Sequence, residues 1–158
     1  MANTQSMTTS FMGELMTATH NFGTAPIRAA TTADTFKAAL YLTSATVNAA
    51  TTAYSSTNEV TGTGYTAGGV TVTNATAPIA TNSSATAGVA YWTPSASITY
   101  TTVTLSTAFD AVLIYNSTQS NKAVSVHTFG SQTITAGTFT LTMPSNTTTT
   151  ALLRLSTT

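Results

Sequence analysis

The side chains in this chain that could do acid, base or metal chemistry are few and stand far apart. They are Glu14, His20, Asp34, Glu59, Asp110 and His127. Metal sites and paired-carboxylate catalysis need several such groups at short spacing, and no D-x-D or E-x-x-H pattern occurs. The chain contains no cysteine, which excludes disulfides, thiolate zinc sites and thiol nucleophiles. We therefore predict no catalytic residue, no metal ligand and no cofactor.

Two stretches resemble known motifs but lack the structural context that those motifs require. Residues Gly62–Ala67 match the G-x-G-x-x-A dinucleotide fingerprint, yet Gly68–Thr73 predicts a turn and a strand where the motif needs a helix. No G-x-S-x-G nucleophile elbow occurs, and Gly130-Ser131 predicts only a turn after a strand. The first stretch is therefore interpreted as a hairpin or bulge loop, and Ser/His/Asp hydrolysis has no supporting arrangement.

Aromatic side chains could instead stack on a sugar or on a partner protein. Tyr91 and Trp92 are adjacent, so in a strand their side chains point to opposite faces. A single exposed aromatic residue on a sheet is commonly the anchor of a protein interface. Packing in the core or at an interface is the favoured interpretation, and carbohydrate binding through Tyr91, Trp92 or Tyr100 stays an alternative.

The composition favours a protein that associates with other copies or partners. Threonine makes up about a quarter of the chain, and charged residues make up 5% with a net charge of zero, against about 25% charged residues in ordinary domains. Four dispersed cations predict no nucleic-acid binding, and no apolar run approaches the length of a membrane span. The polar start of the chain predicts no Sec-type signal peptide, so we expect synthesis in a cytoplasm without secretion by that route.

Sequence periodicity predicts an all-β scaffold with one helical segment. Apolar residues at roughly helical spacing within Met7–Phe22 predict a helix or arm, so residues 1–25 form the first unit. From Phe36 onward the period is two, and turn residues separate short segments. The apolar run Ala111–Ile114 predicts a central strand covered on both faces. The predicted strands span residues 36–43, 70–73, 89–92, 98–105, 109–115, 122–129, 138–143 and 152–155, with loops at 45–57 and 77–88.

The order of these segments predicts the fold class. Short strands without intervening helices disfavour a parallel α/β fold and favour antiparallel pairing. We expect residues 26–158 to form a single antiparallel β-sandwich or jelly-roll-like domain.

Several short sequence blocks, spread in order over nearly the whole chain, can be compared with a known protein family. They are Ser10-Phe11 with Glu14-Leu15, His20-Asn21-Phe22, Thr35–Tyr41, Thr51–Tyr54, Asn58–Gly69, Ala111–Asn116, Asn121–Val124, Phe129-Gly130 and Leu153–Leu155. In these blocks the chain resembles a family of small virion structural proteins from tailed bacteriophages. The most specific part is Glu59–Gly69.

This resemblance implies a structural part of a phage particle without enzymatic activity. Our first hypothesis is a capsid decoration (cement) protein that binds the major capsid protein or other virion proteins and forms a homo-oligomer. A tail, neck or head-fibre component and a glycan- or receptor-binding module are the alternatives, and an enzyme is the least favoured. The candidate interface residues are Met7, Phe11, Met12, Tyr65 and Trp92.

Overall fold

The computed structural model describes residues 3–16, 19–20, 22, 33–73, 77–81 and 88–156. Within these ranges the protein is almost entirely β and its sheets are antiparallel, as predicted. No helix in the described ranges is long and apolar enough to span a membrane. The elements are β1 (Ser6–Met7), α1 (Thr9–Met16), β2 (Phe36–Leu42), β3 (Val70–Thr71), β4 (Ile79–Thr81), β5 (Val89–Trp92), β6 (Ile98–Asn116), β7 (Lys122–Leu141) and β8 (Leu153–Ser156).

The strands form two sheets, one large and one small. The large sheet has the order β1-β7-β6-β2-β3, and the small sheet has the order β4-β5-β8. Strands β6 and β7 form a long hairpin whose pairing runs from Asn116↔Lys122 at the turn to Ile98↔Leu141 at the far end. Strand β6 is central, which confirms the position predicted for Ala111–Ile114.

Around Ala111–Ile114 the large sheet is buried on both faces, which explains the nearly continuous apolar run in β6. On one face, residues such as Phe36 and Ile114 belong to the main buried cluster together with Phe11 of α1. Trp92 of β5 and Leu153 of β8 belong to that same cluster, so the small sheet packs on the same core. On the other face, a second cluster is covered by the loop at residues 45–57; it contains Ala39, Tyr41, Ala45, Val47, Ala111, Leu113, Tyr115, Ala123 and Val126.

Some predicted boundaries are wrong, and strand pairing explains the differences. The segments predicted at 98–105 and 109–115 are one strand, because shifts of register at Leu105/Phe109 absorb the polar residues between them. The predicted turn at Gly130-Ser131 lies inside β7, since a glycine in a strand is tolerated where the pairing is irregular. The predicted loop at 77–88 contains β4, a strand of three residues. The helix is shorter than the predicted segment Met7–Phe22.

Candidate functional site

Glu59 is a buried carboxylate that fastens the glycine-rich loop to the large sheet. The side chain is 5% exposed. It accepts hydrogen bonds from the hydroxyl of Tyr54 at 2.6 Å, the hydroxyl of Tyr65 at 2.7 Å and the backbone N–H of Gly68 at 2.7 Å. Hydrogen bonds to an ionised acceptor are stronger than those between neutral groups. Both carboxylate oxygens are occupied by the chain itself, so Glu59 stabilises the loop.

Further tyrosines surround Glu59 and also donate to the backbone. The hydroxyl of Tyr100 donates to the carbonyl of Ala38 at 2.8 Å, and the hydroxyl of Tyr115 donates to the carbonyl of Gly68 at 2.9 Å. Burial and the nearby Glu59 charge raise the pKa of Tyr65 and of Tyr100. Burial also raises the pKa of Tyr41 to about 12. These tyrosines therefore stay protonated at neutral pH and act as hydrogen-bond donors.

The glycines of this loop allow close approach to β2, and they do not form a phosphate site. Gly64, Gly68 and Gly69 all have positive φ, which confirms the predicted turns. A Cβ atom on Gly69 would lie 1.6 Å from the carbonyl oxygen of Ala38. The N–H of Gly68 is already bound by Glu59, and β3 follows at Val70 where a dinucleotide site would need a helix.

Three of the five predicted interface residues meet at an apolar cleft between the N-terminal segment and the small sheet. The cleft has a volume of about 80 Å³. Its lining consists of Met7, Phe11, Leu15, Phe22, Pro78, Ala90, Tyr91, Trp92, Leu153 and Leu155. Phe11 and Trp92 are each 2% exposed, so both pack mainly within the chain itself. Tyr65 lies elsewhere, beside Glu59, and Met12 is in α1 with a side chain outside the described part of the structure.

The small sheet carries two exposed large apolar side chains that the sequence did not single out, and one of them lines this cleft. Leu155 of β8 lines the cleft and is 42% exposed, and Ile79 of β4 is 41% exposed. Ile79 pairs with Tyr91, so these two side chains lie on the face of the small sheet opposite Trp92 and Leu155. Exposed apolar residues beside a hydrophobic cleft are typical of contact surfaces. Ile79 and Leu155 lie in strands of three and four residues, which are too short for an apolar alternation to be recognised in the sequence.

A cluster of polar side chains attaches the N-terminal segment to the end of the β6–β7 hairpin. Glu14 lies between Lys122 Nζ at 2.6 Å and His20 Nε2 at 2.7 Å. Burial by itself would raise the pKa of the Glu14 carboxyl, but the hydrogen bonds from Lys122 and His20 outweigh burial and hold the pKa below its usual value. Asn116 Nδ2 lies 3.0 Å from His20 Nδ1 and donates to Asp34 at 2.7 Å. Because these residues are far apart in the sequence, the cluster could not be predicted from the sequence alone.

Ser125 and His127 form a possible nucleophile–histidine pair, but the buried Ser125 hydroxyl is not accessible to a substrate. Ser125 Oγ lies 2.9 Å from His127 Nε2, as expected for residues two apart on one face of β7. Ser125 is 1% exposed, and burial lowers the pKa of His127 to about 4. Within the described ranges, no group of three or more His, Cys, Asp or Glu side chains is placed to hold a metal ion.

The burial of the aromatic residues also bears on the sugar-binding alternative. Trp92 and Tyr100 are each 2% exposed, and the Tyr100 hydroxyl is bound to the Ala38 carbonyl. Neither ring presents a face on which a sugar could stack. Tyr91 is half-buried at the cleft and is the member of this set that retains accessible surface.

No family model, curated protein or solved structure matches this chain.

Proposed function

We propose that this chain is a structural subunit of a tailed phage particle, and that its place is on the capsid as a decoration protein. In this proposal it binds the major capsid protein in many copies, stabilises the shell and associates with itself. The localisation is therefore the virion. The observation that carries the proposal is the low charge of the β surface, with 5% charged residues and a net charge of zero.

The acidic groups of the described residues are largely held inside the molecule, whereas Lys37 and Lys122 are half-buried and Arg154 is exposed. Glu59 and Asp34 are buried, Glu14 is held between Lys122 and His20, and Asp110 is half-buried. The surface that remains consists mainly of hydroxyl and methyl groups. Such a surface sets up little repulsion between symmetry-related copies, and the contacts it makes depend on shape and hydrogen bonds. Binding of this kind should depend weakly on salt, because there is little Coulomb energy to screen.

The packing of the two sheets supports the finer fold assignment. The small sheet contributes Trp92 and Leu153 to the same buried cluster as Phe36 and Leu40 of the large sheet. Two antiparallel sheets that share one core are the general arrangement of a β-sandwich. We therefore propose a sandwich in which the N-terminal segment and α1 close one side of the core. A rigid sandwich is a suitable shape for a repeated shell component.

Binding to empty shells tests the capsid role. Purified full-length protein is mixed with capsid shells that lack it, and the bound fraction is measured by co-sedimentation at low and high salt. We expect saturable binding that changes little with salt, and no binding to shells already saturated with the protein. Failure to bind at either salt concentration would contradict the capsid proposal.

A pair of variants tests whether the apolar cleft is the contact. Leu155→Asp places a charge at the rim of the cleft and should weaken binding to shells. Thr107→Asp adds the same charge at another exposed position, on β6, and should leave binding unchanged. Equal effects of the two variants would show that the contact lies elsewhere on the surface.

A tail, neck or head-fibre component is the second candidate within the same particle. The same low-charge surface and rigid core would serve that role, and the copy number separates the two. A glycan-binding module draws less support, because Trp92 and Tyr100 are buried.

A further inference from the structure

Strand β7 has a long edge that pairs with no other strand in the described part of the chain. On one side it pairs with β6 as far as Leu141, and on the other side β1 pairs with it only at Ser125 and Val126. Beyond Val126, no strand in the described part of the chain pairs with that outer edge. The segment Thr128–Thr135, here called the edge segment, has mostly exposed side chains. Its outward backbone groups are therefore open to water or to another strand.

The edge segment lacks two of the usual protections against pairing with another chain, which are charged residues and proline. Natural edge strands are commonly protected by lysine, other charges, proline or a bulge. No charged residue or proline occurs between Lys122 and Pro144. The backbone changes conformation at Ala136, where φ is positive and the N–H donates to Thr104 Oγ1 at 3.0 Å. That irregularity ends the edge segment, and within the segment the pairing with β6 shifts register on both sides of Gln132.

The composition of the edge segment selects a second copy of this chain as the partner. When an edge strand pairs antiparallel with itself, a two-fold axis brings equivalent residues near the axis face to face. Any charged residue there would face its own like charge, and like charges opposite one another destabilise a sheet. The edge segment carries no charge, and its threonines form favourable cross-strand pairs. Charge and hydrogen bonding are both self-complementary under this symmetry.

We propose that the edge segment pairs antiparallel with the edge segment of a second copy, which joins two large sheets into one continuous sheet across a two-fold axis. The self-association rests on the proposed role as an assembling subunit, and the edge pairing gives that role a defined surface. Backbone hydrogen bonds supply the affinity, as in other cases of strand addition.

Charge complementation at Gln132 tests this pairing. Gln132 is exposed near the middle of the edge segment. The full-length protein and the variants Gln132→Glu and Gln132→Lys are compared by sedimentation velocity over a range of concentrations. We expect the unchanged protein to form dimers, and each variant alone to associate roughly fivefold more weakly because like charges meet at the axis. An equal mixture of the two variants should restore dimers, seen as the heterodimer mass by native mass spectrometry.

Thr99→Glu and Thr99→Lys are the matched controls, because Thr99 is exposed on β6 and pairs with Thr140, outside the edge segment. They should dimerise like the unchanged protein, and circular dichroism should show all variants folded. The edge proposal would be overturned if the unchanged protein stayed monomeric, or if the Gln132 variants dimerised as strongly as the unchanged protein. Shell binding without dimers would refute the edge pairing alone, whereas dimers without shell binding would refute the capsid role alone.

Discussion

At the scale of single residues, Glu59 concentrates three hydrogen bonds on one buried carboxylate. One donor, the hydroxyl of Tyr54, precedes Glu59 in the sequence. The other two, the hydroxyl of Tyr65 and the N–H of Gly68, follow it. The carboxylate therefore connects the loop at residues 45–57 with the glycine-rich loop. Because both loops cover the large sheet, loss of this charge should affect the stability of the whole domain.

We expect Glu59→Gln to lower the free energy of unfolding by about 2–4 kcal/mol, because the neutral amide weakens charge-assisted bonds and brings a buried N–H₂ group toward hydroxyl donors. Urea denaturation followed by circular dichroism measures the change. Asp110→Asn is the control: Asp110 is half-buried and accepts a bond from Asn3, so we expect a loss below about 1 kcal/mol. Equal losses would contradict the role of Glu59.

Gly69 tests the close approach of the glycine-rich loop to β2. Alanine at this position would place its Cβ against the Ala38 carbonyl at positive φ, so we expect a loss of about 3 kcal/mol or more. Gly130→Ala is the matched control, because its Cβ would meet nothing within 4 Å. That variant should be neutral or slightly more stable. Thermal unfolding of both variants compares them, and a mild effect at Gly69 would show that the loop can move away from β2.

Residue types revealed part of this site from sequence. The glycine spacing predicted the turns, and the absence of a following helix excluded a nucleotide site. The role of Glu59 was missed because its hydrogen bonds depend on how two loops fold over the sheet. An isolated acid between tyrosines, in a chain with so few charges, is the signal that could have indicated it.

At the scale of elements, the N-terminal segment is part of the core as well as a candidate arm. Phe11 forms edge contacts with the rings of His20 and Phe22, and Phe22 stacks on Phe36 with 4.5 Å between centroids. Thr8 Oγ1 donates to the carbonyl of Ala123 at 3.1 Å. The sequence predicted a helix or arm with candidate interface residues, and docking of this segment to a partner stays a prediction. These contacts, however, show that removal of the segment would expose the core.

We expect Phe11→Ala to lower the free energy of unfolding by about 3–5 kcal/mol, as is usual for a phenylalanine removed from a packed core. Ile79→Ala removes an exposed apolar side chain and should change stability by less than about 0.5 kcal/mol. Denaturant unfolding of both variants measures the difference. A negligible effect of Phe11→Ala would favour a loosely attached arm.

Elements with regular alternation were predicted well, and elements defined by pairing were not. Strand β2 and the central part of β6 followed from their apolar patterns. The continuity of β6 and β7 could not be predicted, because each strand pairs through irregular positions that look like turns in the sequence. Strand β4 was missed because three residues are too short to show a period.

At the scale of the whole molecule, the buried tyrosines predict how stability depends on pH. Burial raises the pKa of Tyr41, Tyr65, Tyr100 and Tyr115 above the value of 10.0 for a free tyrosine. The folded state thus holds these protons more tightly than the unfolded state does. The contribution of these tyrosines to stability should be constant up to about pH 10 and should fall as the pH rises further, because the unfolded chain ionises first.

Urea denaturation at increasing alkaline pH measures this decline, with tyrosinate absorbance as the parallel signal. We expect Tyr65→Phe to lower stability at neutral pH and to make the alkaline decline shallower, because one group fewer ionises in the unfolded chain. An unchanged slope in Tyr65→Phe would contradict the assignment of the decline to the buried tyrosines.

The low charge of the whole surface is the basis of the proposed role in a particle, and the abundance of the protein tests that role most directly. Copies per purified phage particle are counted by quantitative mass spectrometry against the major capsid protein. The capsid proposal predicts a copy number comparable to that of the major capsid protein. A small number of copies would move the protein to the tail, neck or a head fibre, and its absence from the particle would contradict the structural role altogether.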